Sequence, residues 1–497
     1  MKKVRVRFAP SPTGYLHVGG VRTLLFNWLY AKKHGGELVL RIEDTDQKRS
    51  TPENERMMMD DVKALHFDYQ EGPDVPGAFG PYRQSERFSI YAKLIQQLLD
   101  EDKAFFCFCS DDLITQKREA AIKMGRIPLY DGTCSRLSKE EVAQKLAEGG
   151  RPGVRMRSLD KSFVVEDLVK GRVEFKAGTV GDFMIARAPM EHEKGLGGGI
   201  GMPVYNFSCV VDDHMMELTH ILRGEDHLSN TVKQLMIYDV FGWEPPQFAH
   251  MAMVLGADRQ KLSKRNGDVS ARDYIDRGYL PEALLNFLAL LGWWPPKELT
   301  PVSGHPEILS LEEMASVFDT AQMQKAPAVF DVDKLTWMNG FYIRMLSISD
   351  IYSRAKPFLL DTGLSAAIDT YGDTWMEQVV DLVRGEVSIL KELPEKVRPF
   401  LEDTLTLDTD ATAVLAEAGA KEVVQALQER IEALTSGETP DWKAMIKEIG
   451  KSVGVKGKGL FMPIRVAVSG VAHGPDLITV LTLLGRERLL KRIGSII

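Results

Sequence analysis

Residues 7–20, which read RFAPSPTGYLHVGG, decide how this chain begins to fold. Basic and apolar residues alternate from Lys3 to Phe8, a range that overlaps the start of this stretch, as they do in a short strand. Two prolines and Gly14 then favour a turn. From Val21 onward, apolar residues recur at helical spacing. We therefore predict a strand, a tight loop and a helix in direct succession.

A loop of this kind is suited to binding an anion. Where a loop leads into a helix, backbone N–H groups and the positive end of the helix dipole face the ligand. Gly19 and Gly20 allow close approach to the backbone, and His17 adds a hydrogen-bond donor. The stretch matches neither a Walker loop nor a dinucleotide-binding loop, and glycine-containing junctions are common in α/β proteins. Phosphate binding and a purely structural turn both remain open at this point.

A second, cationic stretch occupies residues 261–267 and reads KLSKRNG. Its lysines, Lys261 and Lys264, are three positions apart in a loop rich in Ser, Asn and Gly. Such a loop could close over phosphates, although a run of this kind taken alone is more often a solvated charged loop.

Together the two stretches resemble the paired signatures of class I aminoacyl-tRNA synthetases. Residues 17–20 (HVGG) stand where that class has His-Ile-Gly-His, and residues 261–265 (KLSKR) stand where it has Lys-Met-Ser-Lys-Ser. The flanking runs are similar to those of glutamyl-tRNA synthetases, in order along nearly the whole chain. These runs are residues 8–14, 41–46, 80–87, 210–214, 223–227 and 337–340.

The resemblance implies an α/β fold. A doubly wound, Rossmann-like parallel-sheet catalytic domain would carry an inserted domain that grips the acceptor end of tRNA, and an all-α C-terminal anticodon-binding region would follow. The expected divisions are the first catalytic half at 1–105, the insertion at 106–200, the second catalytic half at 201–250, the lysine loop with a connecting helical domain at 251–338, and the anticodon-binding region at 339–497.

Periodicity supports parts of this plan independently. Two α/β units are complete by about residue 105, and the strand signal fades beyond about residue 340. Strands are predicted at 153–157, 163–167 and 171–175 inside the insertion. The apolar run at 205–211 predicts a buried strand that restarts the sheet.

The resemblance also assigns site residues, which are expectations at this stage. Those expected to bind ATP are Ser11, Thr13, Gly14, His17, Gly19, Gly20, Lys261, Ser263 and Lys264. Among them His17, Lys261 and Lys264 are expected to be catalytic, by stabilising charge on the phosphates. Those expected to bind glutamate are Arg7, Ser11, Glu43, Tyr205 and Arg223. Arginine forks suit carboxylates and a fixed carboxylate suits an ammonium, although a single arginine more often forms a surface ion pair.

The implied reaction has two steps and needs no covalent enzyme nucleophile. Glutamate is first activated by ATP, with Mg²⁺ expected alongside the nucleotide, and is then transferred to the terminal hydroxyl of tRNA(Glu). Whether tRNA(Gln) is also a substrate is left open. In this family tRNA must usually be bound before activation, and relatives are usually monomers, so a monomer is expected.

Three of the four cysteines, Cys107, Cys109 and Cys134, lie close together in the sequence. In a chain expected to be cytosolic, this spacing suggests a metal site rather than a disulfide. Tetrahedral zinc requires a fourth ligand. Some relatives supply a histidine where this chain has Arg136, which cannot bind zinc, and others supply a tyrosine where this chain has Tyr130. A structural Zn²⁺ on the three cysteines and Tyr130 and a set of reduced, unliganded cysteines are the two alternatives.

Composition limits the remaining possibilities. The 497 residues are too many for one ordinary core, and the net charge of −8 requires that any RNA-binding surface be a local basic patch. No apolar run approaches the roughly 20 residues of a membrane helix, and the N-terminus lacks an apolar leader. We therefore expect a cytoplasmic protein that does not bind a membrane.

Three rival functions can be distinguished from the sequence. A shortened relative that glutamylates a modified tRNA base lacks the C-terminal helical domain, whereas this chain continues long past Met338. A glutaminyl-specific enzyme would share much of the pocket. A catalytically silent RNA-binding paralogue is disfavoured because the motif residues are intact.

Overall fold

The structure is a computed structural model that describes residues 2–46, 49–190, 199–262, 270–435, 438 and 440–496. The chain divides into two compact units. The first comprises Met1–Ile275 and Pro281–Val332, and the second comprises Asp276–Leu280 and Asp333–Ile497. Among the described residues, all β-strands belong to the first unit and the second is helical.

The first unit begins with the predicted strand, loop and helix. Strand β1 (Arg5–Phe8) is followed by helix α1 (Val18–Lys33) and strand β2 (Glu37–Leu40), and β2 pairs with β1 in parallel. Helix α1 begins before Val21 because the side chain of His17 caps its N-terminus. Helices α2 (Pro52–Ala64) and α3 (Phe88–Asp100) complete this part.

A second parallel pair lies beside the first. It is built from helix α6 (Tyr205–Met215), strand β8 (His220–Gly224), helix α7 (Leu228–Phe241) and strand β9 (Gln247–Met251). Strand β9 pairs with β8 in parallel, and the N–H of Thr219 donates to the carbonyl of Arg5 over 2.9 Å. This bond joins the second pair to β1.

The prediction of a buried strand at 205–211 is wrong, because these residues form most of α6. Every residue from Phe207 to Asp213 is buried, so the helix has no exposed stripe along this stretch. A helix buried on all sides lacks the polar positions that reveal its period, and its sequence therefore looks like that of a buried strand.

Along the chain, an antiparallel segment lies between the two parallel pairs. Its elements are β3 (Ala104–Cys107), α4 (Asp111–Lys123), α5 (Lys139–Ala147), β4 (Gly153–Met156), β5 (Phe163–Asp167), β6 (Gly171–Phe175) and β7 (Phe183–Ala186). Strands β3, β4 and β7 form one antiparallel sheet, and β5 and β6 form a hairpin. The strands predicted near 153, 163 and 171 are confirmed.

Five further strands and α-helices follow among the described residues of the first unit. They are β10 (Val254–Leu255), α8 (Ala271–Asp276), α9 (Pro281–Leu290), α10 (Leu311–Val317) and β11 (Ala328–Val329). Of these, helices α9 and α10 pack on α1. Phe26 of α1 stacks on Phe318, which also contacts Trp293. Helix α9 is almost entirely buried, as its Leu- and Ala-rich sequence predicts.

The second unit consists of consecutive helices. They are α11 (Val332–Met345), α12 (Ile348–Asp361), α13 (Ser365–Tyr371), α14 (Asp373–Val383), α15 (Leu393–Val397), α16 (Thr409–Leu415), α17 (Ala420–Glu432), α18 (Trp442–Val453), α19 (Lys458–Ser469) and α20 (Leu477–Gly494). Gly485 interrupts α20 with a φ of 68°, which favours glycine. Within the described ranges, no helix combines the length and apolar character needed to cross a bilayer.

Candidate active site

A cavity of about 590 Å³ lies where β1, β8 and β9 end. Ligands of parallel α/β sheets bind at this edge, outside the carboxyl ends of the strands. Every predicted ATP or glutamate residue that the structure describes lines the cavity. These residues are Arg7, Ser11, Thr13, Gly14, His17, Gly19, Gly20, Glu43, Tyr205, Arg223 and Lys261. The predictions for Ser263 and Lys264 lie outside the described residues.

His17 is held by the helix that it caps. Its Nδ1 atom accepts a hydrogen bond from the N–H of Gly19 over 3.0 Å. Because Nδ1 is an acceptor here, the neutral ring carries its proton on Nε2. An alanine Cβ at position 19 would lie 3.3 Å from Nδ1, so the glycine permits the close approach of the ring.

The N–H groups of the two glycines are partly engaged within the turn itself. The N–H of Gly19 donates to the His17 ring, and the N–H of Gly20 donates to the His17 carbonyl over 2.7 Å. Gly20 still borders the cavity, where an added Cβ would meet only Leu16 at 4.0 Å. Its absent side chain therefore leaves room in front of the helix N-terminus.

A network of buried charges supports the strand side of the cavity. Arg41 is fully buried, and it donates to Asp213 over 2.8 Å and to Glu43 over 3.1 Å. Asp213 also accepts from Nε of Arg7 over 3.3 Å. Buried charges of this kind are stable only when they are paired and hydrogen-bonded.

The network determines the protonation of its acids. Burial raises the pKa of Glu43, and the nearby Arg41 and Arg7 reverse only part of that increase. Burial alone would also raise the pKa of Asp213, but Arg41 and Arg7 outweigh it and lower the pKa. Asp213 is therefore the ionised acid of the network, whereas a further cation at the cavity wall would stabilise the ionised form of Glu43.

Arg223 approaches the cavity from β8. Its Nε donates to His250 over 3.1 Å, and its Nη2 donates to Thr231 over 2.8 Å. Its Nη1 is buried and has no hydrogen-bond partner among the described residues. A buried guanidinium N–H without an acceptor is costly, so an anionic ligand that accepted from Nη1 would stabilise the site.

Aromatic and imidazole groups form the neutral part of the wall. The ring of Tyr205 lies 5.3 Å from that of His227. Burial, followed by the charges of Arg223 and Arg7, lowers the pKa of His227 to about 4 despite the nearby Asp226. His227 is therefore neutral at physiological pH and adds no positive charge beside the two arginines.

Lys261, the first lysine of the cationic loop, reaches the same cavity. Its Nζ pairs with Asp226 over 2.9 Å, and both side chains are well exposed. An exposed ion pair of this kind is weak and can be exchanged for a phosphate at little cost.

The cysteines expected to bind zinc come together in the insertion. The sulfurs of Cys107, Cys109 and Cys134 all lie within 4.8 Å of one another. The hydroxyl of Tyr130 lies 3.6 Å from the Cys107 sulfur and 3.5 Å from the Cys109 sulfur. The sulfurs of Cys109 and Cys134 are 3.6 Å apart, close to the ~3.7 Å expected across tetrahedral zinc with bonds of about 2.3 Å. Arg136 is exposed and is not part of this cluster.

Sequence reasoning missed the residues that support the groups lining the cavity. Asp167, Thr231 and His250 hold Arg223, while Arg41 and Asp213 hold Arg7 and Glu43. A usable signal was present for some of them. Arg41 interrupts the apolar run at 38–42, and His250 interrupts the one at 248–254, and a buried polar residue in such a run requires partners.

Two family models match the chain. The model described as "tRNA synthetases class I (E and Q), catalytic domain" matches residues 3–337, and the model described as "Anticodon binding domain" matches residues 350–497. Together with the parallel sheet and its cavity, these matches define a class I aminoacyl-tRNA synthetase.

Similar proteins specify the family further. A glutamate–tRNA ligase of Listeria monocytogenes serotype 4b (strain F2365) is 44% identical over 99% of this chain and 98% of its own length. The corresponding ligase of Natranaerobius thermophilus is 43% identical with the same coverage. The crystal structure of a glutamate tRNA ligase from Elizabethkingia meningosepticum CCUG26117, in complex with its amino acid, superposes with a TM-score of 0.84 at 31% identity and covers 99% of both chains. The chain therefore belongs to the glutamate–tRNA ligase family.

Proposed function

We propose that this protein uses ATP to join L-glutamate to the 3′ end of tRNA(Glu) through a glutamyl-adenylate, releasing pyrophosphate and AMP. One observation carries the proposal. The buried Nη1 of Arg223 lacks a hydrogen-bond partner among the described residues, in the wall of a cavity that also contains Glu43 and the N-terminus of α1. A carboxylate, an ammonium and a phosphate thus each have a matching group in one cavity.

The amino acid would be held by its three charges. Arg7 and Arg223 are suited to the two carboxylates of glutamate, and Glu43 is suited to its ammonium. Ser11 and Tyr205 offer hydroxyl groups at the same wall. Glutamine lacks the second carboxylate, so it would leave one arginine without a charged partner and bind less well.

ATP would lie against the first loop. Nε2–H of His17 and the positive end of α1 would face its phosphates, beside Ser11, Thr13 and Gly14. Lys261 would leave Asp226 for the phosphates, and the roles of Ser263 and Lys264 rest on the family resemblance. Mg²⁺, when bound with the nucleotide, would neutralise part of the phosphate charge.

The chemistry then consists of positioning and charge stabilisation. An oxygen of the glutamate α-carboxylate forms a bond to the α-phosphorus as the bond to pyrophosphate breaks. The terminal ribose hydroxyl of tRNA next attacks the activated carbonyl, and AMP leaves. His17 and the lysines would stabilise the charge that accumulates on the phosphates.

The remaining expectations about partners are part of this proposal. The helical second unit, most of which matches the anticodon-binding model, would read the tRNA, and the segment at 106–200 would hold its acceptor end. We keep the predictions of a monomer that works in the cytoplasm, which light scattering and fractionation can check.

The zinc prediction also belongs here. Three sulfurs within 4.8 Å of one another, with a phenol oxygen 3.5 and 3.6 Å from two of them, fit one structural Zn²⁺ bound by Cys107, Cys109, Cys134 and Tyr130. Metal analysis of protein purified without chelator tests this. One equivalent of zinc is expected, and protein without stoichiometric zinc would contradict it.

An aminoacylation assay tests the main proposal. Radiolabelled glutamate or glutamine is supplied with ATP and unmodified transcripts of tRNA(Glu) or tRNA(Gln). Glutamate on tRNA(Glu) is the expected product, and glutamate on tRNA(Gln) would show a broader tRNA range. Charging of glutamine only, or of no amino acid, would refute the proposal.

A further inference from the structure

Arg223 is held by two buried side chains on the side away from the ligand. Thr231 and His250 are both fully buried, and each accepts one N–H of the guanidinium. Nη1 has no hydrogen-bond partner among the described residues. The orientation of Arg223 therefore depends on the acceptor that His250 presents.

His250 can accept from Arg223 only in one tautomer. Its Nδ1 lies 2.6 Å from a carboxylate oxygen of Asp167, an acceptor, so Nδ1 carries the proton. The neutral ring then has its lone pair on Nε2, which faces Nε of Arg223. A ring with the proton on Nε2 would place two donors against each other.

Asp167 is fixed by the hairpin that carries it. It ends strand β5, and its Oδ1 accepts the N–H groups of Val169 and Lys170 over 2.9 and 2.8 Å. The backbone N–H of His250 also donates to this carboxylate over 3.2 Å. Each of these groups is a donor, so only an ionised carboxylate satisfies all of them.

The turn of this hairpin is attached to the sheet beside the cavity. The N–H of Leu168 donates to the carbonyl of Phe248 over 2.8 Å. Lys170 pairs with Glu225, whose carboxylate also accepts the N–H of Met253 over 2.9 Å. An element of the inserted segment thus reaches the wall that carries Arg223.

We infer that Asp167, acting through His250, is a positioning residue that orients Arg223 to bind a substrate carboxylate. The inference rests on the proposed function, because it takes glutamate as the ligand of Arg223. It adds that the antiparallel insertion supplies part of the amino-acid site. A merely structural Asp167 would stabilise the hairpin without affecting glutamate in particular.

Asp167→Asn is the direct test. With its oxygen on the hairpin N–H groups, the asparagine would turn its NH₂ toward Nδ1 of His250, and the ring would then present N–H to Arg223. In pyrophosphate exchange with tRNA present, we expect KM for glutamate to rise at least about tenfold, with KM for ATP and kcat within about threefold. Glu166→Gln is the matched control, since Glu166 is exposed and adjacent on the same strand.

A second pair of variants keeps the test valid if Asp167→Asn does not fold. In His250→Gln the amide NH₂ can donate to Asp167 while its oxygen accepts from Arg223, so glutamate binding should be largely retained. His250→Leu can do neither, and its KM for glutamate should exceed that of His250→Gln about tenfold or more.

The outcomes separate this inference from the proposed function. A wild-type protein that does not charge glutamate would refute the proposed function. If the wild type is active but Asp167→Asn keeps its KM for glutamate, or raises KM for ATP equally, the positioning role is refuted. Equal KM values for His250→Gln and His250→Leu would refute it as well.

Discussion

Nδ1 of His17 lies 3.0 Å from the backbone nitrogen of Gly19 and accepts its hydrogen bond. One nitrogen of the ring thus caps α1, while the other is the donor proposed to contact ATP. The two roles belong to different atoms, so they can be separated by substitution.

His17→Asn should separate them. The asparagine oxygen can replace Nδ1 as the cap, since Asn is among the preferred N-cap residues, but no atom replaces Nε2. We expect kcat for pyrophosphate exchange to fall by about 10²–10³ with the melting temperature nearly unchanged. His17→Ala is the comparison, because it should also lose about 1 kcal/mol of stability with the cap. Near wild-type turnover by His17→Asn would remove Nε2 from catalysis.

Asp213 should be essential for the stability of the first unit. Asp213→Asn leaves the buried Arg41 and Arg7 with less negative charge, and breaking such a network costs about 3 kcal/mol. Because the pKa of Asp213 is lowered, its contribution is present above its ordinary pKa and disappears as the pH falls further. Calorimetry should therefore show a constant deficit between about pH 5 and 8 that shrinks toward pH 3.

The exposed ion pair of Glu166 and Arg172 provides the control for this experiment. Its loss in Glu166→Gln should change stability by no more than about 0.5 kcal/mol. A deficit of the same small size in Asp213→Asn would contradict the importance of the buried network.

The elements that sequence could predict were those determined by local signals. The strand and helix around His17, and the strands of the insertion, show alternation or turn residues that need no tertiary contact. Helix α6 was wrongly predicted to be a strand, because the surroundings of Phe207 to Asp213, and not the local sequence pattern, decide that these residues are buried. Burial on all sides is a property of the whole fold.

The same distinction applies to the site. The residues that line the cavity lie in short runs that resemble the family, so their presence at one site could be predicted. Arg41 and Asp213, in contrast, act on one another across 172 positions of sequence. Asp167 reaches His250 across 83 positions, and such pairings can be identified only after the chain has folded.

His227 should make the fold sensitive to acid. Its pKa is lowered to about 4 chiefly by burial, then by Arg223, so the folded state resists a proton that the unfolded state accepts. Stability is therefore lost as the pH falls below the ordinary histidine pKa of about 6.5. The glutamine side chain in His227→Gln does not titrate, so the melting temperature of this variant should fall less between pH 7 and pH 5 than that of the wild type. Parallel losses in both proteins would contradict this.

Cys134→Ser should remove the metal and destabilise the insertion. Tetrahedral zinc needs all its ligands, and the backbone around the cluster would lose the cross-link between β3 and residues 130–134. We expect zinc content to fall well below one equivalent. Cys209→Ser is the matched control, because Cys209 is a buried thiol outside the cluster and its loss should leave the zinc content unchanged.

Tyr130→Phe distinguishes a zinc ligand from a neighbour. The variant keeps the ring that Arg155 covers at 4.1 Å and removes only the oxygen near the sulfurs. If that oxygen is the fourth ligand, a chelator should remove zinc from the variant at least about tenfold more readily, while the apo proteins melt at similar temperatures. Equal zinc retention by the variant and the wild type would exclude the Tyr130 oxygen as a ligand, because the ring packing is the same in both.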